Sequence, residues 1–298
     1  MRRQPLRIVT LLAALAVGLL VAAPAHAAAK RVVALEWDAV ENLRALGVKP
    51  VGAADLRGYR TYVSIKLPTG ITDVGTRGEP SIERIASLRP DLIIVPRNRS
   101  GRNLSSLRKI ARVLQTNPYP GSTASRAHYN AMLRDFRAIG RAVGKSRQAE
   151  SVLRDMTSTF SSLRQRLARA NRRGTRVTIA TPGGTASSPA LRLFTSNSAA
   201  AEIVRRLGLR SAWSASPARY GFTTTGVEAL RQIQTGWLAF VYPTPFVTQI
   251  KRFTDQDAYK RLAMVRANRV RKLQGNTWLF GGPLSSKVFA QRLTAALT

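Results

Sequence analysis

The sequence predicts an α/β protein of two lobes, each built on a parallel-rich sheet, joined by one long helix. Three observations carry that expectation. A βαβ rhythm opens the chain after residue 30, a strand–loop–helix–strand unit at residues 73–96 recurs in the second half, and an unbroken amphipathic stretch over 147–172 lies between the copies. The implied boundaries are a leader over 1–27, a first lobe over 28–144, a connecting helix over 145–173 and a second lobe over 174–298.

The first lobe opens with a strand at 30–36 and a helix that Asp38 can cap, with Val40, Leu43 and Leu46 on its apolar face. Gly47 ends that helix, and 50–54 reads as the next strand. Residues 55–70, with Tyr59 and Tyr62, read as a long loop of the kind in which binding groups concentrate. Within the organising unit, Ser81 can cap a helix carrying Ile82, Ile85 and Leu88, while Glu79 and Glu83 sit near its positive end. Pro90 stops the helix, because the residue before a proline is pushed out of the α region. Residues 92–95 form an unalternating apolar run, as a strand covered on both faces requires.

Placing Ser81 on Gly226 pairs Ile82 with Val227, Glu83 with Glu228, Ile85 with Leu230 and Leu92 with Trp237, without a gap. Two related halves follow from such a match. Between them, a basic loop at 97–103 precedes a helix at 104–112, a strand at 113–117 and a helix at 126–142. The long helix then carries Val152, Met156, Phe160, Leu163 and Leu167 as a packing stripe, so it reads as a stiff connector. The second lobe starts with a strand at 175–180, a turn at 181–184, a strand at 191–196 and a helix at 199–207. A strand at 270–273, a loop at 274–282 and a helix at 284–297 close the chain.

Cysteine is absent, which excludes disulfides, thiolate metal sites, a thiol nucleophile and a lipidated cysteine. Of the two histidines, His26 falls in the leader, and His128 reads as a surface position on an amphipathic helix. Arg2, Arg3 and Arg7 precede an apolar core at 8–22 and a small-x-small site at Ala25-His26-Ala27, the pattern of a secretory signal. Sec and twin-arginine export both stay open. The mature protein is expected to be soluble, periplasmic and not a lipoprotein. The formal charge is +33, and removing the three leader arginines leaves +30. Such a field attracts polyanions, but the arginines are dispersed over many helices and the chain is exported, so nucleic acid is not the expected partner.

No Ser-His-Asp set, HExxH or P-loop is present, and no enzyme is expected. The predicted loops instead hold Trp37, Tyr59, Tyr62, Trp213, Tyr220, Phe222, Trp278 and Phe280, interleaved with Arg77, Arg97 and Arg99. Aromatic walls with a few convergent guanidinium donors suit a bulky ligand bearing exposed oxygens.

Residues 31–37, 40–47 and 58–64, with Asp73-Val-Gly-Thr-Arg-Gly-Glu-Pro80 and Thr277-Trp-Leu-Phe-Gly-Gly-Pro283, resemble the periplasmic ferric hydroxamate siderophore-binding proteins, substrate-binding subunits of iron-complex ABC importers. The resemblance implies a class III periplasmic binding protein-like fold, a shallow interlobe cleft and little closure. It places ligand contacts on Trp37, Tyr62, Arg77, Tyr220 and Trp278, with Arg77 donating to the hydroxamate oxygens around iron. It implies a ferric siderophore as ligand, with iron arriving chelated so that no cofactor is needed, a permease in the inner membrane as partner, and a monomer. Two departures stand out. Arg97-Asn-Arg99 occupies the place of a ligand-holding tyrosine, adding Arg97 and Arg99 to the candidate set, and no acid for permease docking lies between Asp91 and Asp135. Glu83 and Glu228 are symmetric docking candidates, or serve their helix N-termini. Ferric citrate, haem or a corrinoid remains an alternative ligand, and a basic cell-envelope adhesion module an alternative of another class.

Overall fold

The computed structural model describes residues 28–121, 123–185 and 187–298; the leader expected over 1–27 lies outside the described residues. In chain order the first half contains β1 (Val32–Ala34), α1 (Trp37–Ala45), β2 (Gly52–Ala53), α2 (Leu56–Tyr62), β3 (Thr72–Asp73), α3 (Ile82–Ser87) and β4 (Leu92–Pro96). It continues with α4 (Arg97–Ser100), α5 (Leu104–Ile110), β5 (Arg112–Thr116), α6 (Ala127–Ala142) and the long α7 (Ser146–Arg169). The second half holds β6 (Arg176–Gly184), β7 (Pro189–Phe194), α8 (Ala199–Arg206), β8 (Arg210–Ser211), β9 (Phe222–Thr225), a 3-10 helix (Val227–Ile233) and β10 (Trp237–Val241). A second 3-10 turn (Thr244–Phe246), α9 (Val247–Thr254), α10 (Asp257–Lys260), α11 (Ala263–Arg266), β11 (Val270–Leu273) and α12 (Pro283–Leu297) complete it. Among the described residues no helix is long and apolar enough to cross a membrane.

The first sheet, in order β3-β2-β1-β4-β5, is parallel throughout. The second follows the same plan as β11-β10-β6-β7-β9, read from the opposite edge. Its register makes the repeat concrete: Leu92 sits beside Val32 of β1, and Trp237, its counterpart by sequence, beside Val177 of β6. The copies diverge on one side. In the first lobe α1 crosses over and keeps β2 parallel to β1, whereas in the second a hairpin turns β7 antiparallel to β6. Residues 181–184, expected as a turn, are therefore the end of β6, and the chain reverses after them, with Thr185 Oγ1 accepting the Ser188 amide at 3.1 Å. Pro182 is tolerated there because β10 pairs with β6 only through Ala180, leaving that strand one neighbour fewer.

Three further expectations change. The cap of α1 is Glu36, whose carboxylate accepts the Trp37 amide at 3.0 Å, while Asp38 lies buried inside the first turn. Residues 56–62 are the helix α2 rather than loop, because Asp55 accepts the Gly58 amide at 3.0 Å and Asp73 the Leu56 amide at 3.0 Å. A side chain at Gly58 would put its Cβ 2.4 Å from the Trp37 indole, so the glycine is what lets α2 close over that ring. His128 is buried rather than exposed, since it lies four residues before Met132 and eight before Phe136 on the inward stripe of α6. Ser81 caps α3 as expected, accepting the Arg84 amide at 3.2 Å; Gly226 offers no such oxygen, and its helix winds as 3-10.

One core spans both lobes. Leu153, Met156, Phe160 and Leu167 of α7 pack with Phe289, Leu293 and Leu297 of α12 and with residues of both sheets. The connector is thus glued along its length, not strung between lobes. A second tie is polar: the fully buried Glu41 of α1 accepts both the amide (2.7 Å) and hydroxyl (2.5 Å) of Ser285 in the first turn of α12.

Candidate functional site

The aromatics of the loops converge on one continuous ring path between the lobes. Phe246 contacts Tyr62, and Tyr62 stacks on Trp37 at 5.3 Å between centroids. Trp37 meets Trp278 edge-on at 5.0 Å, and Trp278 meets Phe280 at 5.2 Å. From Phe280 the path runs through Phe222 to Tyr220 and on to Tyr119, whose ring lies 5.1 Å from that of Tyr220. Two adjoining hollows follow it. The first, about 220 Å³, is lined by Trp37, Tyr62, Arg77, Arg192, Phe246 and Trp278 among others. The second, about 370 Å³, includes Glu36, Arg77, Arg99, Tyr119, Tyr220 and Trp278 in its wall.

Arg77 is the most constrained group in the cleft. Its Nη1 donates to Glu36 at 2.7 Å, its Nε lies 3.4 Å from Asp55, and its guanidinium stacks 3.5 Å above the Trp37 ring. Arg99 grips the other oxygen of Glu36 at 2.8 Å. Glu36 therefore both caps α1 and holds two guanidinium groups at the cleft wall. Facing them from β7, Arg192 lines both hollows and lies 5.1 Å from the Phe222 ring centroid, with no ion pair among the described residues. Burial raises the Tyr62 phenol, opposed by the charge of Arg77. The Tyr119 phenol is also raised, by burial first and then by Glu36 and Asp38.

Of the seven residues singled out in the sequence, Trp37, Tyr62, Arg77, Arg99, Tyr220 and Trp278 line these hollows, and Arg77, Tyr220 and Trp278 share the larger one. Arg97 lines neither; it is exposed on α4, with its charge felt by Asp135. Two aromatics expected at the rim are core residues: Tyr59 is buried on the inner face of α2, and Trp213 is buried with its indole N–H donating to Thr223 at 3.0 Å. The sequence reading missed Tyr119, Arg192, Phe246 and Glu36. Arg192 had a signal, since it is a charged residue between apolar neighbours in a predicted strand and so had to face away from the core. Tyr119 brings a phenol to the cleft from the loop after β5, one crossover later than the tyrosine that Arg97-Asn-Arg99 displaces.

Comparisons with known proteins point the same way as the ring-lined cleft. The chain is 28% identical over 285 residues to the iron(3+)-hydroxamate-binding protein FhuD of Escherichia coli, covering 92% of this chain and 90% of the relative. It is 28% identical over 265 residues to the Fe(3+)-citrate-binding protein YfmC of Bacillus subtilis, covering 88% and 79%. The crystal structure of the siderophore-binding protein FhuD from Vibrio cholerae, with Fe3+-Desferal bound, superposes with a TM-score of 0.80 at 27% identity, over 90% of this chain and 97% of that one. Residues 32–277 match the periplasmic binding protein family, and the chain belongs to that family.

Proposed function

We propose that the protein captures a ferric siderophore, hydroxamate type favoured, in the interlobe cleft and delivers it to an ABC permease. The observation that carries this reading is the pair of hollows walled by rings from both lobes, with Arg77 and Arg192 facing each other across them. Iron is cargo, already enclosed by its chelator. The rings cover the chelator's carbon skeleton, worth roughly 25 cal/mol per Å² of apolar area removed from water. The guanidinium groups donate to the oxygens at the chelate surface, and such charge-assisted bonds are worth about 1.5–3 kcal/mol. Glu36 contributes by fixing Arg77 and Arg99 before a ligand arrives, which lowers the ordering cost of capture. Export to the periplasm, a monomeric state and the absence of catalytic activity belong to the same reading, and members of this family bind substrates for transport rather than transform them.

Ferric citrate is a second reading, favoured by Arg192, a guanidinium without a carboxylate partner among the described residues, and by a relative named for citrate. Because Trp37 and Trp278 line the cleft, intrinsic fluorescence reports occupancy directly. Quenching titrations with ferric hydroxamate, ferric citrate and haem are expected to rank the hydroxamate first. Arg192→Ala is expected to weaken ferric citrate more than a neutral hydroxamate. Capture should survive moderate salt, whereas adhesion to an anionic polymer should collapse with it; loss of all chelate binding at about 0.5 M salt, where the screening length is about 4 Å, would reject the reading.

Glu83 and Glu228 are exposed in the first turns of the paired helices on the two lobes. Ser81 hydrogen-bonds to Glu83, whose carboxyl is lowered by a backbone bond and by that serine. If these acids dock on the permease, the double variant Glu83→Ala with Glu228→Ala abolishes import in cells while binding in solution is unchanged. Import at the wild-type rate would remove both from the docking surface.

A further inference from the structure

Across Tyr119, Tyr220 and Phe280 from the larger hollow lies a small chamber of about 30 Å³. Asp38, Pro118 and those three rings line both spaces, so chamber and cleft share a wall made largely of side chains. The chamber wall holds polar atoms that the protein itself leaves unpartnered. Asp38, Asn42 and His128 are 8%, 1% and 6% exposed, and Asp38 Oδ1, both amide atoms of Asn42 and His128 Nε2 have no protein hydrogen-bond partner among the described residues. The other ring nitrogen of His128 donates to the backbone of Arg219, and burial lowers the histidine's pKa. A neutral imidazole that donates from one nitrogen presents the other, here Nε2, as a lone-pair acceptor.

We propose, on the siderophore reading above, that this chamber is a subsite for a primary ammonium group on an alkyl arm of the captured ferric chelate, with Asp38, Asn42 and His128 as its three acceptors. The chemistry matches in number and sign. A primary ammonium carries three donors and no acceptor. One water needs about 10–15 Å³ of such space, so the chamber admits two heavy atoms, the size of a terminal carbon and its nitrogen. The surroundings favour a cation locally in a molecule of charge +33: Glu36 and Glu41 flank Asp38 on its own segment, and Asp135 faces it from α6. Arg77 and Arg99 stand behind Glu36 and are neutralised by it in part. Burial, followed by Glu36, Asp135 and Glu41, pushes the Asp38 carboxyl well above its usual range. An incoming ammonium reverses that push and lets the carboxylate ionise.

The test compares ferric desferrioxamine B, which ends in a primary amine, with its N-acetyl derivative, which has the same iron centre and no charge on the arm. Titrations by tryptophan quenching at pH 8 are expected to show acetylation weakening binding to the wild type about tenfold or more. In Asp38→Asn the gap is expected to close to less than about twofold. The wild-type comparison needs no variant, so a folding defect in Asp38→Asn leaves the proposal exposed to refutation. Long-range repulsion from the basic protein works against the cationic form, so equal or tighter binding of the acetylated complex overturns the subsite while siderophore capture stands. A gap that persists in Asp38→Asn overturns it too. If neither complex binds while ferric citrate does, the hydroxamate reading itself has failed and the subsite with it.

Discussion

Arg77→Ala is expected to weaken capture of a ferric hydroxamate by about tenfold to a hundredfold, with melting temperature nearly unchanged. The guanidinium has five N–H donors, and its contacts with Glu36 and Asp55 leave donors available to a ligand. Removing it has a second consequence. Glu36 keeps only Arg99 as a cationic partner, so the cleft wall gains net negative charge where ligand oxygens should sit. Arg77→Lys separates the two effects. Lysine restores the charge but not the planar stack on Trp37, and an intermediate loss is expected. Calorimetric titration of the three proteins with one ferric hydroxamate measures this, and an unchanged dissociation constant for Arg77→Ala takes the residue out of the site.

Glu41→Ala is expected to cost about 2–4 kcal/mol of stability, because it strands the buried amide and hydroxyl of Ser285 and uncaps α12. For a chain of this size that lowers the melting temperature by about 3–8 °C. The same residue makes stability depend on pH. Burial pushes the Glu41 carboxyl up from 4.5 to about 7, against the lowering effect of its bonds to Ser285. Between those values the native protein holds a proton that the unfolded chain has released, so this group's contribution makes stability fall as pH rises from 4.5 to about 7. Asp135, raised by burial from 3.8 to about 6, adds a contribution of the same sign over its own window. Urea unfolding is expected to show the wild type about 1–3 kcal/mol more stable at pH 5 than at pH 7.5, with the difference reduced in Glu41→Gln. An identical difference in that variant would show that Glu41 does not titrate in this range.

Local rules read correctly wherever neighbours in sequence supplied the physics. Ser81 capping α3, the buried run of β4 and the packing stripe of α7 each depend on residues within a turn or two. The misreadings share a cause. Asp55 caps residues 56–62 as a helix locally, but the bond that fixes its first amide comes from Asp73, 17 residues away, and no periodicity within the segment announces it. Residues 181–184 look like a turn because proline and glycine favour one, but pairing with β7 extends them as strand.

For the cleft, Trp37, Tyr62, Arg77 and Trp278 were legible from their blocks, whereas Tyr119, Phe246 and Glu36 were not. Glu36 read as a strand end, and only the approach of Arg77 across 41 residues and of Arg99 from α4 turns it into the anchor of the cationic wall. Arg97, two residues away, points elsewhere because a helical turn places neighbours two apart on different faces.

By itself the sequence determined two related α/β halves, the helix between them, and a ring-rich, arginine-bearing set of loops, since these rest on hydrophobic period and residue type. Only the tertiary structure decided which rings face the ligand space, which guanidinium groups are held, and that Asp38, Asn42 and His128 meet in one chamber. Distance along the chain carries no information about such meetings; they are fixed by how α1, α6 and the loop before α12 pack over two sheets.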